Sequence, residues 1–117
     1  MKLIKSGSAD WLKNEGYSKK VYLTDEDLGV KGSLVQKLKI EPGETVKSHS
    51  HKIQTEIFYF LNKNGYFIIN GEKINVEVDD VLVVEPFDKH VVVNDTNEDF
   101  LYMTFKLNYS EDDFFWD

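Results

Sequence analysis

Hydrophobic and polar residues alternate along much of the chain, and the clearest alternation covers residues 33–40. Lys37 and Lys39 occupy one face of this segment. The opposite face holds Leu34, Gln36, Leu38 and Ile40. A period of two residues is typical of a β-strand with one face in the core, so the segment is predicted to be a strand.

Similar short runs follow, and turn-forming residues separate them. Strands are predicted at residues 21–23, 56–61, 66–69, 72–78, 81–85, 90–93 and 100–107. Asn70-Gly71 lies between two of these runs and is a strong short-range signal for a β-hairpin. Because short strands recur and no helix longer than two turns is indicated, the pattern predicts an all-β sandwich or barrel.

The two ends of the chain are less regular. In the N-terminal segment, residues 1–20, Ser8 is expected to cap a short helical turn that Gly16 ends. The tail, residues 108–117, combines acidic residues with the aromatic residues Phe114, Phe115 and Trp116. These aromatic side chains are expected to pack onto the barrel or onto a second subunit, the alternative being a lid over a ligand.

Composition narrows the function classes. The chain has 117 residues and no cysteine, which fits a single domain spanning residues 1–117 without a disulfide or a thiol nucleophile. A net charge of −7 argues against nucleic acid and anionic membranes as partners. All 14 basic residues are lysines, so the guanidinium fork that suits phosphates is missing. No apolar run has the length of a signal peptide or membrane helix, so the expected location is the cytoplasm.

The three histidines and one glutamate form a candidate metal site. His49 and His51 are two residues apart, which places both rings on one face of a strand. Glu56 follows at an odd offset, so a bend is needed to bring its carboxylate beside the rings. His90 precedes an apolar run, residues 91–93, where an idle polar ring is unfavourable. Three imidazoles and a carboxylate suit one divalent transition metal, namely Fe, Mn, Zn, Ni, Co or Cu.

The spacing of these residues resembles the first sequence motif of the cupin family. That motif is Gly, five residues, His-x-His, three or four residues and Glu, followed by a further Gly. Here Gly43 stands five residues before His49, and four residues separate His51 from Glu56. Gly65 is two residues later than the motif glycine, which indicates a longer turn.

A second cupin motif is matched by His90 and Asn94. The departures from it are Asp79 for glycine, Glu85 for proline, Phe87 for glycine, and a proline one place late at Pro86. These departures concern the shape of the loop at residues 85–89 rather than the metal ligands.

The resemblance covers residues 33–107 and implies a fold and a metal site. The implied fold is an all-β double-stranded β-helix, the cupin jelly-roll barrel. The implied ligands of a single divalent metal are His49, His51, Glu56 and His90. Many small cupins are homodimers, so a homodimer is expected, with the N-terminal segment and the aromatic tail as candidate contact elements.

Strand alternation also indicates which side chains line a pocket beside the metal. The candidates are Gln36, Phe58, Phe60, Val92 and Asn94. Because this lining is mostly apolar, the expected ligand is a small neutral or weakly polar molecule held mainly through the metal.

Three functions are compatible with these residues. The first is a metal-dependent enzyme of dioxygenase or isomerase type, with chemistry performed by the metal because no separate general base is evident. The second is a cupin that binds or senses a small ligand without turnover. The third is a metal-free sugar-nucleotide epimerase of the same fold, which the complete ligand set and the missing arginine both disfavour.

Overall fold

The computed structural model describes all residues, 1–117, and consists almost entirely of β-strands. The strands are β1 (Leu12–Asn14), β2 (Tyr17–Leu23), β3 (Leu34–Ile40), β4 (Thr45–Ser50), β5 (Thr55–Phe60), β6 (Tyr66–Ile69), β7 (Glu72–Asn75), β8 (Val81–Val84), β9 (His90–Val93), β10 (Phe100–Leu107) and β11 (Phe115–Trp116). The helical elements are a 3-10 turn, Ser6–Ser8, and one short helix, α1 (Asp25–Leu28). The all-β prediction is confirmed.

The strands form two antiparallel sheets. The six-stranded sheet has the order β1-β2-β3-β10-β5-β8, and the five-stranded sheet has the order β11-β4-β9-β6-β7. Long-range pairing dominates: β10 lies between β3 and β5, with Thr104 opposite both Gln36 and Phe58. The inner faces of the two sheets therefore enclose one core, whose open end holds the candidate site.

Aromatic side chains fill the closed end of this core. Phe60, Phe67 and Phe100 are fully buried, and the ring of Tyr102 packs within 5.1–5.6 Å of each of theirs. They come from β5, β6 and β10, so the cluster joins the two sheets. Burying several large apolar rings supplies the main stabilisation of a barrel of this size.

A short helical turn near the N-terminus is confirmed, but it covers Ser6–Ser8 and not the residues between Ser8 and Gly16. Ser8 is the last residue of the 3-10 turn, and its hydroxyl donates to the carbonyl of Lys5. The residues that follow form the β1–β2 hairpin, which Gly16 turns with a φ of 84°. β1 pairs with β2, and β2 pairs with β3. These pairings outweigh the weak helical preference of so short a segment.

The turns of the second motif keep their shape without glycine. Asp79 and Phe87 occupy the two glycine positions of that motif, and both adopt positive φ, at 72° and 73°. The backbone N–H of Phe87 donates to the carbonyl of His51, which ties the loop to the candidate site. Neither of the protein's helical segments has the length and hydrophobicity that crossing a membrane requires.

Candidate metal centre

Four buried side chains from both sheets converge at the open end of the barrel. His49 lies on β4, His51 directly after it, His90 at the start of β9 and Glu56 on β5. One ligand atom from each lies within 4.8 Å of every other. Two ligands of one ion at about 2.1 Å lie at most about 4.2 Å apart, so one ion could contact all four residues after side-chain adjustment.

Local folding explains how the four residues meet. His49 and His90 are direct partners in the β4–β9 pairing. After His51 the chain bends at residues 52–53 and crosses to β5 in the other sheet, so Glu56 faces the histidines despite its odd spacing. The sequence-based expectation of a bend at this point is confirmed.

Hydrogen bonds to the backbone orient all three imidazole rings. Nδ1 of His49 donates to the carbonyl of Lys47 (2.9 Å), and Nδ1 of His90 donates to the carbonyl of Asp88 (3.0 Å). Nδ1 of His51 donates to the carbonyl of Asp113 at 2.6 Å. A carbonyl only accepts, so each Nδ1 carries a proton, and a ring that binds metal in its neutral form then presents its lone pair on Nε2.

These lone pairs point toward a carboxylate oxygen, and this arrangement suits a bound cation. Nε2 of His51 lies 2.8 Å from Oε1 of Glu56, and Nε2 of His90 lies 3.5 Å from the same atom. Two acceptors at such a distance repel each other unless a proton or a metal ion lies between them. His51 Nε2 is also buried without a hydrogen-bond partner. The donor set therefore fits a divalent transition metal.

The electrostatics favour a carboxylate at Glu56 and a neutral ring at His49. Burial raises the pKa of Glu56, but the imidazoles of His51 and His90 outweigh burial and hold that pKa well below its usual range. Burial, together with the nearby His90, lowers the pKa of His49 to about 4. Near neutral pH the site thus offers a carboxylate and, at His49, an unprotonated imidazole, as metal ligation requires.

A cavity of about 170 Å³ lies beside the four residues, below the roughly 300–1,000 Å³ of pockets for drug-sized ligands. Three of the five pocket candidates, Gln36, Phe58 and Val92, line it. Phe60 lies in the aromatic core instead. Asn94 holds a turn, since its amide donates to two backbone carbonyls. Phe60 faces inward but lies deeper than the cavity. Asn94 faces inward just beyond the far end of β9.

Polar residues outside the expected set also line the cavity. They are Tyr17, Lys19, Gln54, Tyr102, Lys106, Tyr109, Ser110, Glu111 and Asp113. The lining is therefore much more polar and charged than expected. Period-two spacing on β10 links Tyr102, Thr104 and Lys106, but the sequence does not show which face of that strand is inside.

The C-terminal tail packs onto the barrel beside the site. Phe115 and Trp116 form β11, which pairs with β4 opposite Ser50 and His49. The ring of Phe114 stacks on His49, with centroids 4.7 Å apart and planes at 12°. The first expectation for the tail was that it packs onto the barrel, and β11 does so. Phe114 also forms part of the cavity wall.

Asp113 joins this tail to the bend between His51 and Glu56. Its carboxylate accepts the backbone N–H groups of Lys52 (2.7 Å), Ile53 (2.9 Å) and Gln54 (2.8 Å). Burial alone would raise the pKa of Asp113. The three hydrogen bonds lower it by a larger amount, so the pKa lies below its usual value and the carboxyl stays ionised. Its own carbonyl accepts a hydrogen bond from His51, so one tail residue orients a candidate ligand and shapes the bend between two candidate ligands.

We expect Asp113→Ala to weaken metal binding about 10–100-fold, the usual cost of disturbing an outer-shell partner of a metal ligand. The physical reason is that three backbone N–H groups of the bend lose their carboxylate acceptor, so the tail segment whose backbone carbonyl contacts His51 is held less firmly. Competition with a chelator of known affinity measures the change. Asp112→Ala removes the same charge from an exposed neighbour and serves as the matched control. Equal affinities in the two variants would contradict the role given to Asp113.

Comparison with known proteins identifies the family of this chain. Residues 36–106 match the family described as the cupin domain. The oxalate-binding protein of Thermotoga maritima is 30% identical over 81 residues, which cover 69% of this chain and 67% of that protein.

Solved structures agree on the fold. A protein described as a predicted oxalate decarboxylase from Thermotoga maritima has a TM-score of 0.79 at 23% identity, covering 91% of this chain and 98% of its own. Pac13 from Streptomyces, described as a nucleoside dehydratase, has a TM-score of 0.77 at 15% identity, covering 100% of this chain and 91% of its own. Because these two differ in chemistry, fold alone does not specify a reaction. The double-stranded β-helix is confirmed, and the chain belongs to the cupin family.

Proposed function

We propose that this cupin binds one divalent transition metal per chain and is a metal-dependent enzyme of dioxygenase or isomerase type acting on a small molecule. The observation that carries the proposal is the convergence of three Nε2 lone pairs and the Glu56 carboxylate on one buried point. When bound, Fe, Mn, Zn, Ni, Co or Cu would supply Lewis-acid or oxygen chemistry at positions that the four side chains leave free.

The chain's own residues would hold and orient the ligand. The amide of Gln54 donates to Oε1 of Glu56 (3.3 Å) and fixes the carboxylate. Burial raises the pKa of Tyr17 and raises that of Tyr102 well above its usual value, and the charge of Glu56 adds to both shifts. Both hydroxyls therefore stay protonated and can donate a hydrogen bond to a ligand in the cavity.

A second candidate is a cupin that binds or senses a small ligand without turnover. The relative at 30% identity is named for binding oxalate rather than for a reaction, and this supports the alternative. A metal-free sugar-nucleotide epimerase has less support, because the ligand set is complete and the chain has no arginine.

The first experiment is the metal content of protein purified without a histidine tag or added metal. We expect about one transition metal per chain, and we expect His49→Ala to lose it. Iron would direct the search to oxygen consumption with candidate substrates, which an enzyme of dioxygenase type shows and a binding protein does not. Protein that stays metal-free after reconstitution would overturn the proposed metal-dependent mechanism.

Location and assembly belong to the same proposal. We place the protein in the cytoplasm as a homodimer. The outer face of the six-stranded sheet exposes Val81, Val83 and Phe105, and such exposed apolar side chains on one face support self-association.

A further inference from the structure

The cavity wall opposite the histidines carries two lysines without acidic partners. Lys19 on β2 and Lys106 on β10 line the cavity, and neither ammonium lies within 4.0 Å of a carboxylate oxygen, unlike those of Lys13, Lys47 and Lys89, which form ion pairs on the surface. Lys106 contacts the ring of Tyr109, 4.7 Å from its centroid. Glu111 also lines the cavity but is an exposed residue of the tail.

The strand register places Lys106 next to the metal centre. Lys106 is the direct partner of Glu56 in the β10–β5 pairing, so both side chains leave the same face of the six-stranded sheet. Lys19 lies opposite Leu38 on the neighbouring strand pair. A small ligand between the two sheets can therefore contact the ion and the lysine wall together.

Gln36 adds an unpartnered polar group to this wall. Its side chain is 3% exposed and lines the cavity, and its Oε1 is buried without a hydrogen-bond partner. A buried carbonyl oxygen without a donor costs free energy, which a ligand group that donates a hydrogen bond recovers. Gln36 thus marks the position of a polar ligand group, independently of the lysines.

Charge balance indicates the sign of that group. Three carboxylates, those of Glu56, Glu111 and Asp113, and two lysines line the cavity, and the carboxylate of Asp113 already accepts three backbone N–H groups. A divalent ion at the proposed centre would leave this lining with one net positive charge, although the whole chain has a net charge of −7. Apolar side chains, Leu38, Phe58 and Val92, cover another part of the wall and suit a carbon skeleton.

We infer that Lys106, supported by Lys19 and Gln36, selects a small carboxylic acid as the ligand of this site. This inference rests on the proposed function, and it replaces the neutral or weakly polar ligand expected from the sequence. The carboxylate accepts hydrogen bonds from the lysine ammonium groups and the Gln36 amide, while another oxygen of the acid faces the metal centre.

Calorimetric titration of zinc-loaded protein with malonate, succinate and benzoate tests the inference. We expect at least one acid to bind, and Lys106→Met to weaken that binding about tenfold to a hundredfold, as loss of a charged hydrogen bond does. Gln36→Leu should weaken it several-fold with the metal content unchanged. Lys37→Met, which removes the same charge from the outer face of the barrel, is the matched control and should have no effect.

Three outcomes would overturn the inference: no acid binding at millimolar concentration, equal binding by wild type and Lys106→Met, or tighter binding of inorganic phosphate than of every acid. Metal content measured in the same samples separates this failure from that of the proposed function. Should the chain bind no metal, the proposed function fails, and the Lys106 comparison with metal-free protein still decides whether the wall binds acids.

Discussion

His90→Ala is expected to lose its metal while the barrel remains folded. The substitution removes one of four ligands, so the loss of affinity should exceed the roughly 10–100-fold cost of removing an outer-shell partner. The fold should survive, because His90 faces the cavity and packs against His49 at 4.0 Å rather than in the aromatic core. Equilibrium dialysis with elemental analysis measures occupancy, and circular dichroism of the metal-free protein checks the fold.

Thr45→Ala is the control for this experiment, since Thr45 is an exposed residue of β4, the strand that pairs with β9. It should retain full metal. Full occupancy in His90→Ala would show that the fourth ligand lies elsewhere. Gln54, whose buried Oε1 has no partner, would then be the candidate.

Phe60→Ala is expected to lower the free energy of unfolding by about 3–5 kcal/mol, the usual cost of deleting a buried phenylalanine ring. Phe60 is 0% exposed, and its ring packs against Phe67 and Phe100 at 5.7 Å and against Tyr102 at 5.5 Å. Truncation leaves a cavity where the two sheets meet. Urea unfolding of metal-free protein measures the change without a contribution from metal binding.

Phe87→Ala is the matched control, because it removes the same ring from a side chain that is 68% exposed. Its free energy of unfolding should change by about 0.5 kcal/mol or less. Folded Phe60→Ala should also bind metal as the wild type does, since Phe60 does not line the cavity. A cost below about 1 kcal/mol for Phe60→Ala would contradict the position of this ring in the core.

Several features of the fold follow from local sequence pattern. Leu34, Gln36, Leu38 and Ile40 are all buried, as their alternation predicts. The hairpin turn at Asn70-Gly71 forms between β6 and β7. Such features are predictable because a strand's side-chain period and a turn's φ values depend on a few neighbouring residues.

Other features depend on segments far apart in the chain. The β1–β2 hairpin replaces the expected helical turn because β2 pairs with β3. Asp113 holds a ligand 62 positions earlier, and no sequence spacing indicates that contact. The prediction of a mostly apolar cavity lining was wrong for the same reason. The two lysines of the cavity wall, Lys19 and Lys106, come from β2 and β10, which are far apart in the chain.

The sequence by itself determined the all-β class, the bounds of six of the eleven strands to within one residue, and the group of three histidines and one glutamate. The tertiary structure decided which face of β10 is inside, so Lys106 lies beside Glu56. It also decided that the tail covers the site through Phe114 and Asp113. The physical reason is that periodicity shows which side chains share a face of a strand, whereas packing between distant strands decides what that face meets.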